Sequence, residues 1–168
     1  MIPTRRLRRL RATPALRALR REHRLHAELV QPLFVVEDAS RAGPIDAMPG
    51  VARLTLDEVA PTARRLAEAG VGGVLLFGLP STKDPLGERA ADGDGVVPEA
   101  VRRIRAATAK LVVITDLCLC ASTDHGHCAA LDGERILNDE SFDVLGRAAV
   151  AHAAAGADLV APSGMLDG

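Results

Sequence analysis

Four apolar runs of strand length constrain the fold of this chain more than any other feature of its sequence. They cover residues 29–36, 71–77, 111–117 and 157–161. Each run is almost continuously apolar, as is typical of parallel strands that are buried on both faces. Helical apolar patterns separate them at residues 57–69, 98–109 and 141–155. This alternation of strands and helices predicts a parallel α/β sheet, either doubly wound or of the (β/α)8 barrel type.

Charge and composition narrow the possible binding partners of the chain. Residues 1–24 hold nine arginines and one acid, whereas the whole chain has a net charge of -1. We interpret residues 1–27 as an arm that binds a partner subunit and residues 28–168 as the folded part; binding of an anionic surface or nucleic acid is the alternative for the arm. Because the chain has only three Phe and no Trp or Tyr, it lacks an aromatic platform for single-stranded nucleic acid. We therefore expect no stacking of single-stranded nucleic acid and, with the arm interpreted as binding a partner subunit, no nucleic-acid partner.

The three cysteines lie close together in the sequence, within residues 118–128. An odd number of cysteines in so short a segment does not resemble a secreted disulfide framework. No apolar run approaches the roughly 20 residues that cross a bilayer, and no signal-peptide core follows the arginines. We therefore predict a cytoplasmic protein that does not enter a membrane. An organelle transit peptide is the alternative for the arginine-rich start, because acids are also scarce there.

The segment that follows the third apolar run carries the strongest chemical signal. Side chains alternate along a strand, so Asp116, Cys118 and Cys120 share one face if the strand extends that far. Cys128 can fold back towards them after Gly126. Three thiolates suit Zn²⁺ and leave its fourth position open to water or substrate, as in a catalytic site. Either His125 or His127 could fill that position instead, and the alternative for all three cysteines is a role as small buried apolar side chains.

The same residues resemble a known family. The pattern Asp116-x-Cys118-x-Cys120, followed by His125-Gly126-His127-Cys128, is similar to the zinc-dependent porphobilinogen synthases, also called delta-aminolevulinic acid dehydratases. Further similar segments occur in the same order along the chain: Arg5 to Arg8, Pro32 to Val35, Met48 to Val51, Leu76 to Pro80 with Lys83-Asp84, Ala155 to Asp158, and Ala161 to Ser163 with Asp167-Gly168.

The resemblance implies a (β/α)8 barrel, of which this chain holds about four βα units after an N-terminal arm. It implies condensation of two 5-aminolevulinate molecules to porphobilinogen in haem and tetrapyrrole synthesis, within a homo-oligomer joined through the arm. It also implies Zn²⁺ on Cys118, Cys120 and Cys128, with Mg²⁺ at a second site, and substrate-lining roles for Asp116 and Ser163. A barrel of this kind needs about 250 residues, so we expect the chain to be the N-terminal half of such an enzyme.

The resemblance also implies two Schiff-base lysines, and the sequence matches neither of them. Its two lysines, Lys83 and Lys110, stand in a loop and before a strand, and we interpret both as surface charges. We therefore expect this chain to be inactive by itself. The alternative function is that of a small non-catalytic α/β protein that binds zinc structurally or binds a partner.

Overall fold

A central, mostly parallel sheet with helices packed on both faces forms the fold. The computed structural model describes residues 11–19, 29–164 and 166–167. In chain order the elements are α1 (Pro14–Ala18), β1 (Val30–Val36), β2 (Gly43–Pro44), β3 (Ala52–Thr55), α2 (Leu56–Glu68), β4 (Gly73–Leu79), α3 (Val96–Ala107), β5 (Val112–Leu117), β6 (Ala130–Asp132), β7 (Arg135–Leu137), α4 (Asn138–Ala154) and β8 (Leu159–Pro162).

The strand order decides between the two predicted types of sheet. The order is β2-β3-β1-β4-β5-β8, and the pairs β1–β4, β4–β5 and β5–β8 are all parallel. Each of the four predicted strands thus lies beside the next one along the chain, in one direction. In a doubly wound sheet the order in which strands are added reverses at a switch point, whereas in a barrel each new strand is added on the same side. The prediction of a parallel α/β sheet is confirmed, and the order is that of a barrel.

Four short strands were not predicted from the sequence. β3 pairs with the end of β1, from Phe34 to Val36, and β2 pairs antiparallel with β3. β6 and β7 form a separate hairpin. None of these strands exceeds four residues, and none contains an apolar run long enough to indicate a strand.

The two faces of the sheet have different partners. Val113 and Val74 belong to the main core, which the sheet forms with α2 and α3. Val112 lies on the opposite face, in a cluster with Ala15 and Leu16 of α1. Side chains alternate along a strand, so the even-numbered side chains of β5 share the α1 face. Asp116 consequently points to that face at the carboxyl end of the sheet.

The helices begin and end within a few residues of the predicted bounds, because local signals set them. α2 starts at a capping box, in which Thr55 and Glu58 satisfy each other's backbone N–H groups. Gly70 follows α2 with a φ of 83°, a conformation that glycine adopts without strain and that commonly ends helices. The helix before β8 is closed in the same way by Gly156, with a φ of 105°.

Only part of the predicted arm is described. Residues 11–19 contain α1, and this helix packs on the chain's own sheet; residues 1–10 and 20–28 of the arm region lie outside the described residues. The boundary at residues 27 and 28 therefore stays a prediction. None of the helices in the described part of the chain is long and apolar enough to cross a membrane.

Candidate metal centre

The three cysteines converge on one point at the carboxyl end of β5. We call residues 118–128 the cysteine loop. The sulfur atoms of Cys118, Cys120 and Cys128 all lie within 4.8 Å of one another, and all three thiols are unpaired and partly buried. Sulfurs bound to one tetrahedral zinc at roughly 2.3 Å would stand about 3.8 Å apart. The donor set and its spacing thus fit a thiophilic metal such as Zn²⁺.

A turn, and not a longer strand, brings the sulfurs together. β5 ends at Leu117, so strand alternation does not extend to Cys120 as the sequence reasoning supposed. The amides of Ser122 and Thr123 both donate to the carbonyl oxygen of Leu119, at 2.8 Å each. This tight turn reverses the chain immediately after Cys120 and lets Cys128 return beside it.

The electrostatic surroundings keep two of the thiols neutral. Burial, with the thiol of Cys118 as the next cause, raises the pKa of Cys120 to about 12. A hydrogen bond with Cys118, followed by burial, raises the pKa of Cys128. In the metal-free chain these two thiols therefore remain protonated at neutral pH, and a metal ion must displace their protons on binding.

The two loop histidines stand outside this group of donors. The Nδ1 atom of His125 accepts a hydrogen bond from the amide of His127 at 3.1 Å, and its Nε2 donates to the carbonyl oxygen of Pro85 at 3.2 Å. The Nδ1 atom of His127 accepts from the amide of Ala129 at 3.2 Å. Among the described residues, only the cysteines form a close donor group, so the geometry favours a three-sulfur site with an open fourth position.

Asp116 and Ser163 meet beside the cysteine loop. The hydroxyl of Ser163 donates to Oδ1 of Asp116 at 2.7 Å. This contact follows from the register of β5 and β8, in which Asp116 is opposite Ala161. Carboxyl ends of parallel strands are where barrel enzymes hold their reactive groups. The two residues could bind a polar substrate group through the carboxylate and the hydroxyl.

A cavity of about 80 Å³ opens next to the cysteines, between the ends of β4 and β5 and the start of α3. Two of its polar residues gave no signal in the sequence analysis. His152 is only 4% exposed, and its Nδ1 is 3.1 Å from the hydroxyl oxygen of Thr115. The Nε atom of Arg89 is buried without a hydrogen-bond partner in the described structure. Both residues reach the cavity from elements remote in sequence, which explains why no local pattern indicated them.

The carboxylates of the acidic turn at residues 92–95 do not belong to a close group of metal-ligating side chains in the described part of the chain. Asp92 accepts from Arg89 at 2.6 Å, and Asp94 pairs with Arg102 at 3.1 Å. These carboxylates are thus paired with arginines, as in an ordinary surface loop. The second site for Mg²⁺ stays a prediction.

The two lysines lie where the sequence analysis expected them. Lys83 is exposed in the loop after β4, and Lys110 is exposed just before β5 begins. Lys110 therefore stands at the amino end of the sheet, opposite to Asp116 and the cysteine loop.

Comparisons with known proteins all indicate one family. A family model described as delta-aminolevulinic acid dehydratase matches residues 4–168. The enzyme of that name from Methanothermobacter thermautotrophicus is 51% identical over 170 residues, covering 99% of this chain and 52% of the relative. The one from Streptomyces coelicolor is 46% identical over 171 residues, with the same two shares. The chain thus spans about half the length of the curated relatives it matches.

A solved structure shows the same architecture. It is the delta-aminolevulinic acid dehydratase, or porphobilinogen synthase, of Toxoplasma gondii in complex with the reaction product porphobilinogen. The TM-score is 0.78 at 30% sequence identity, and the match covers 99% of this chain and 48% of that one. The parallel sheet of this chain is therefore part of a (β/α)8 barrel. Sequence and structure together show that the chain belongs to the delta-aminolevulinic acid dehydratase family.

Proposed function

We propose that this chain supplies the metal-binding half of a porphobilinogen synthase active site. The reaction joins two molecules of 5-aminolevulinate into porphobilinogen with the loss of two waters. The observation that carries the proposal is the convergence of three sulfurs within 4.8 Å, next to the hydrogen-bonded pair of Asp116 and Ser163. We place this reaction in the reducing cytoplasm, where free thiols persist.

The cysteine loop would hold Zn²⁺ through the sulfurs of Cys118, Cys120 and Cys128. When bound, such a metal supplies Lewis acidity towards a carbonyl oxygen or a bound water. Asp116 and Ser163 bind and orient the polar end of a substrate from the same end of the sheet. The Ser163 hydroxyl, by donating to Asp116, fixes the direction in which the second carboxylate oxygen can accept a proton or an ammonium group.

Metal titration tests the site directly. We expect the chain to bind about one Zn²⁺ or Co²⁺ per molecule, and Co²⁺ to give the intense near-ultraviolet absorption of thiolate ligation. Replacing any one of the three cysteines by serine should weaken that absorption and lower metal affinity, since each supplies one of three protein ligands. Asp124→Asn, an exposed change in the same loop, is the matched control. Binding that survives in Cys120→Ser at the wild-type level would refute the site.

The chain itself is proposed to be inactive. Schiff-base chemistry needs a lysine that is partly deprotonated and reaches the substrate carbonyl, and both lysines of this sequence are exposed. Incubation with 5-aminolevulinate and colorimetric detection of porphobilinogen should show no product. Product formation at a rate typical of enzymes, lost in Asp116→Asn, would show that this chain is sufficient for catalysis.

We also propose a role for the N-terminal arm, residues 1–27, in subunit association. Its arginine-rich sequence, with nine arginines in residues 1–24, supports a role in binding an acidic surface of a second subunit in a homo-oligomer. The remainder of the chain carries an excess of acids, so the charges of the two parts are complementary.

A further inference from the structure

Two loops that are remote in sequence meet beside the candidate metal centre. The loop after β4 contacts the cysteine loop through Asp84. The amide of Asp84 donates to the carbonyl oxygen of Ser122 at 3.1 Å, and its carbonyl oxygen accepts from the amide of Asp124 at 3.2 Å. Asp84 and Thr123 thus form an isolated parallel bridge. The backbone at residue 84 therefore fixes the middle of the cysteine loop.

The side chain of Asp84 shapes the turn that makes this contact possible. Its Oδ1 atom accepts from the amides of Leu86 at 2.9 Å and Glu88 at 3.1 Å. Its Oδ2 atom accepts from the amide of Arg89 at 3.4 Å. One carboxylate thereby satisfies three backbone donors and closes residues 84–87, which we call the Asp84 turn.

The Asp84 turn packs directly on the cysteine loop. Gly87 is buried and has a φ of 73°, and a Cβ at this position would lie 3.2 Å from Cγ2 of Thr123 and 3.3 Å from Cβ of Leu119. The positive φ and the close approach both require glycine here. The contact lies next to the tight turn in which Leu119 accepts from the amides of Ser122 and Thr123.

A hydrogen bond of Thr123 connects this contact to the other end of the cysteine loop, next to Cys128. Its side chain is fully buried, and its hydroxyl donates to the carbonyl oxygen of His127 at 2.7 Å. His127 directly precedes Cys128, so the hydrogen bond sets where the third sulfur returns. A series of contacts therefore runs from the Asp84 carboxylate through Thr123 to the carbonyl of His127, the residue before the third candidate ligand.

We propose that Asp84 is a positioning residue for the metal site: it holds the cysteine loop in the arrangement that presents three sulfurs to one ion. This inference rests on the proposed function and extends it to a residue that touches neither metal nor substrate. A preformed loop binds more tightly because less backbone entropy is lost on binding. Removal of supporting contacts around metal ligands typically weakens metal binding by about 10- to 100-fold.

Co²⁺ titration of the full 168-residue chain tests the inference in Asp84→Ala and Asp84→Asn. Asp84→Ala should weaken Co²⁺ binding by at least about 10-fold, while the bound form keeps its thiolate absorption because all three sulfurs remain. Asn retains one acceptor oxygen for Leu86 and Glu88, so Asp84→Asn should restore most of the affinity. The matched control is Asp92→Ala, which removes a carboxylate from the same loop without any contact to the cysteine loop, and it should leave the affinity unchanged.

Hydrogen exchange in the metal-free chain gives a second measurement that does not depend on metal. Amides 119–128 should exchange faster in Asp84→Ala and at the wild-type rate in Asp92→Ala. The inference is overturned if Asp84→Ala, still folded, binds Co²⁺ like the wild type or leaves this exchange unchanged. If the wild type binds no Co²⁺ while Asp84→Ala still accelerates exchange, the proposed metal site fails and the ordering role of Asp84 stands.

Discussion

His152 places an ionisable group where a charge is poorly tolerated. Its ring is buried against β5, and burial lowers the pKa of His152 to about 4. A histidine in the unfolded chain titrates near 6.5. Between about pH 6.5 and pH 4 the unfolded chain binds a proton at this residue and the folded chain does not, so acidification favours unfolding. The contribution of this residue to stability is therefore complete above pH 6.5 and is lost progressively as the pH falls towards 4.

Urea unfolding of the metal-free chain at pH 7 and pH 5 checks this effect. The free energy of unfolding of the wild type should fall by about 2 kcal/mol more than that of His152→Gln over this interval. Glutamine keeps a polar group near Thr115 but does not titrate, and the other histidines contribute equally to both proteins. An equal pH dependence in the two proteins would contradict the burial of a neutral His152.

Single residues also show what the sequence could and could not predict at the site. The convergence of Cys118, Cys120 and Cys128 was predictable because all three lie within eleven residues of one another. The contribution of Asp84 was not predictable, since its partners lie at positions 122–124 and the pairing exists only in three dimensions. The sequence does contain a signal for the turn itself, because Asp84, Pro85 and Gly87 are residue types that favour turns.

Arg105 and Asp158 connect three elements at the amino end of the sheet. Asp158 is largely buried; it accepts from the amide of Val113 at 2.8 Å and pairs with the Arg105 guanidinium. Arg105, near the end of α3, also donates to the carbonyl oxygens of Gly156 and Leu111. This network joins the start of β8 to the start of β5, and it sets the register that later places Ser163 beside Asp116.

Asp158→Ala should therefore destabilise the fold. It removes the acceptor of the Val113 amide and the only carboxylate partner of the Arg105 guanidinium in this network, and we expect the free energy of unfolding to drop by about 2 to 3 kcal/mol. The matched control is Asp143→Ala in α4, because the Asp143–Arg147 pair is exposed and such pairs contribute less than about 1 kcal/mol. Denaturant unfolding of both variants measures the difference. Equal losses would show that the buried network has no special role.

Secondary structure was predictable where short-range signals set it. The helices α2 and α4 end beside glycines of positive φ, and the long strands are apolar throughout. β2, β3, β6 and β7 were missed because two to four residues carry no periodicity. Their partners are mostly close in sequence: β6 and β7 pair across residues 133–134, and β2 pairs with the next strand, β3. The fold class followed from the alternation of strands and helices. The direction of the strand order, which distinguishes a barrel from a doubly wound sheet, followed only from the structure and from the family resemblance.

At one end of the sheet, the edge of the last strand has no partner among the described residues. β8 is the last strand in the sheet order and pairs only with β5 among the described strands. On the other side of the sheet, β3 covers the carboxyl half of β1, so only the start of β1 lacks a neighbour there. The two outermost of the four long apolar runs therefore differ: β1 is covered over its carboxyl half, and β8 has one free side among the described strands. Exposed strand edges promote association between chains.

The 168-residue chain should consequently self-associate through β8, with a mass by light scattering that rises with protein concentration. A lysine directed to one face of an edge strand opposes such pairing, so Ala161→Lys should shift the chain towards the monomer. Ala153→Lys adds the same charge at an exposed position of α4 and should not change the mass. Circular dichroism shows whether each variant is folded. A wild-type chain that stays monomeric at all concentrations would contradict the open edge at β8, and with it the placement of this strand at the boundary of a partial barrel.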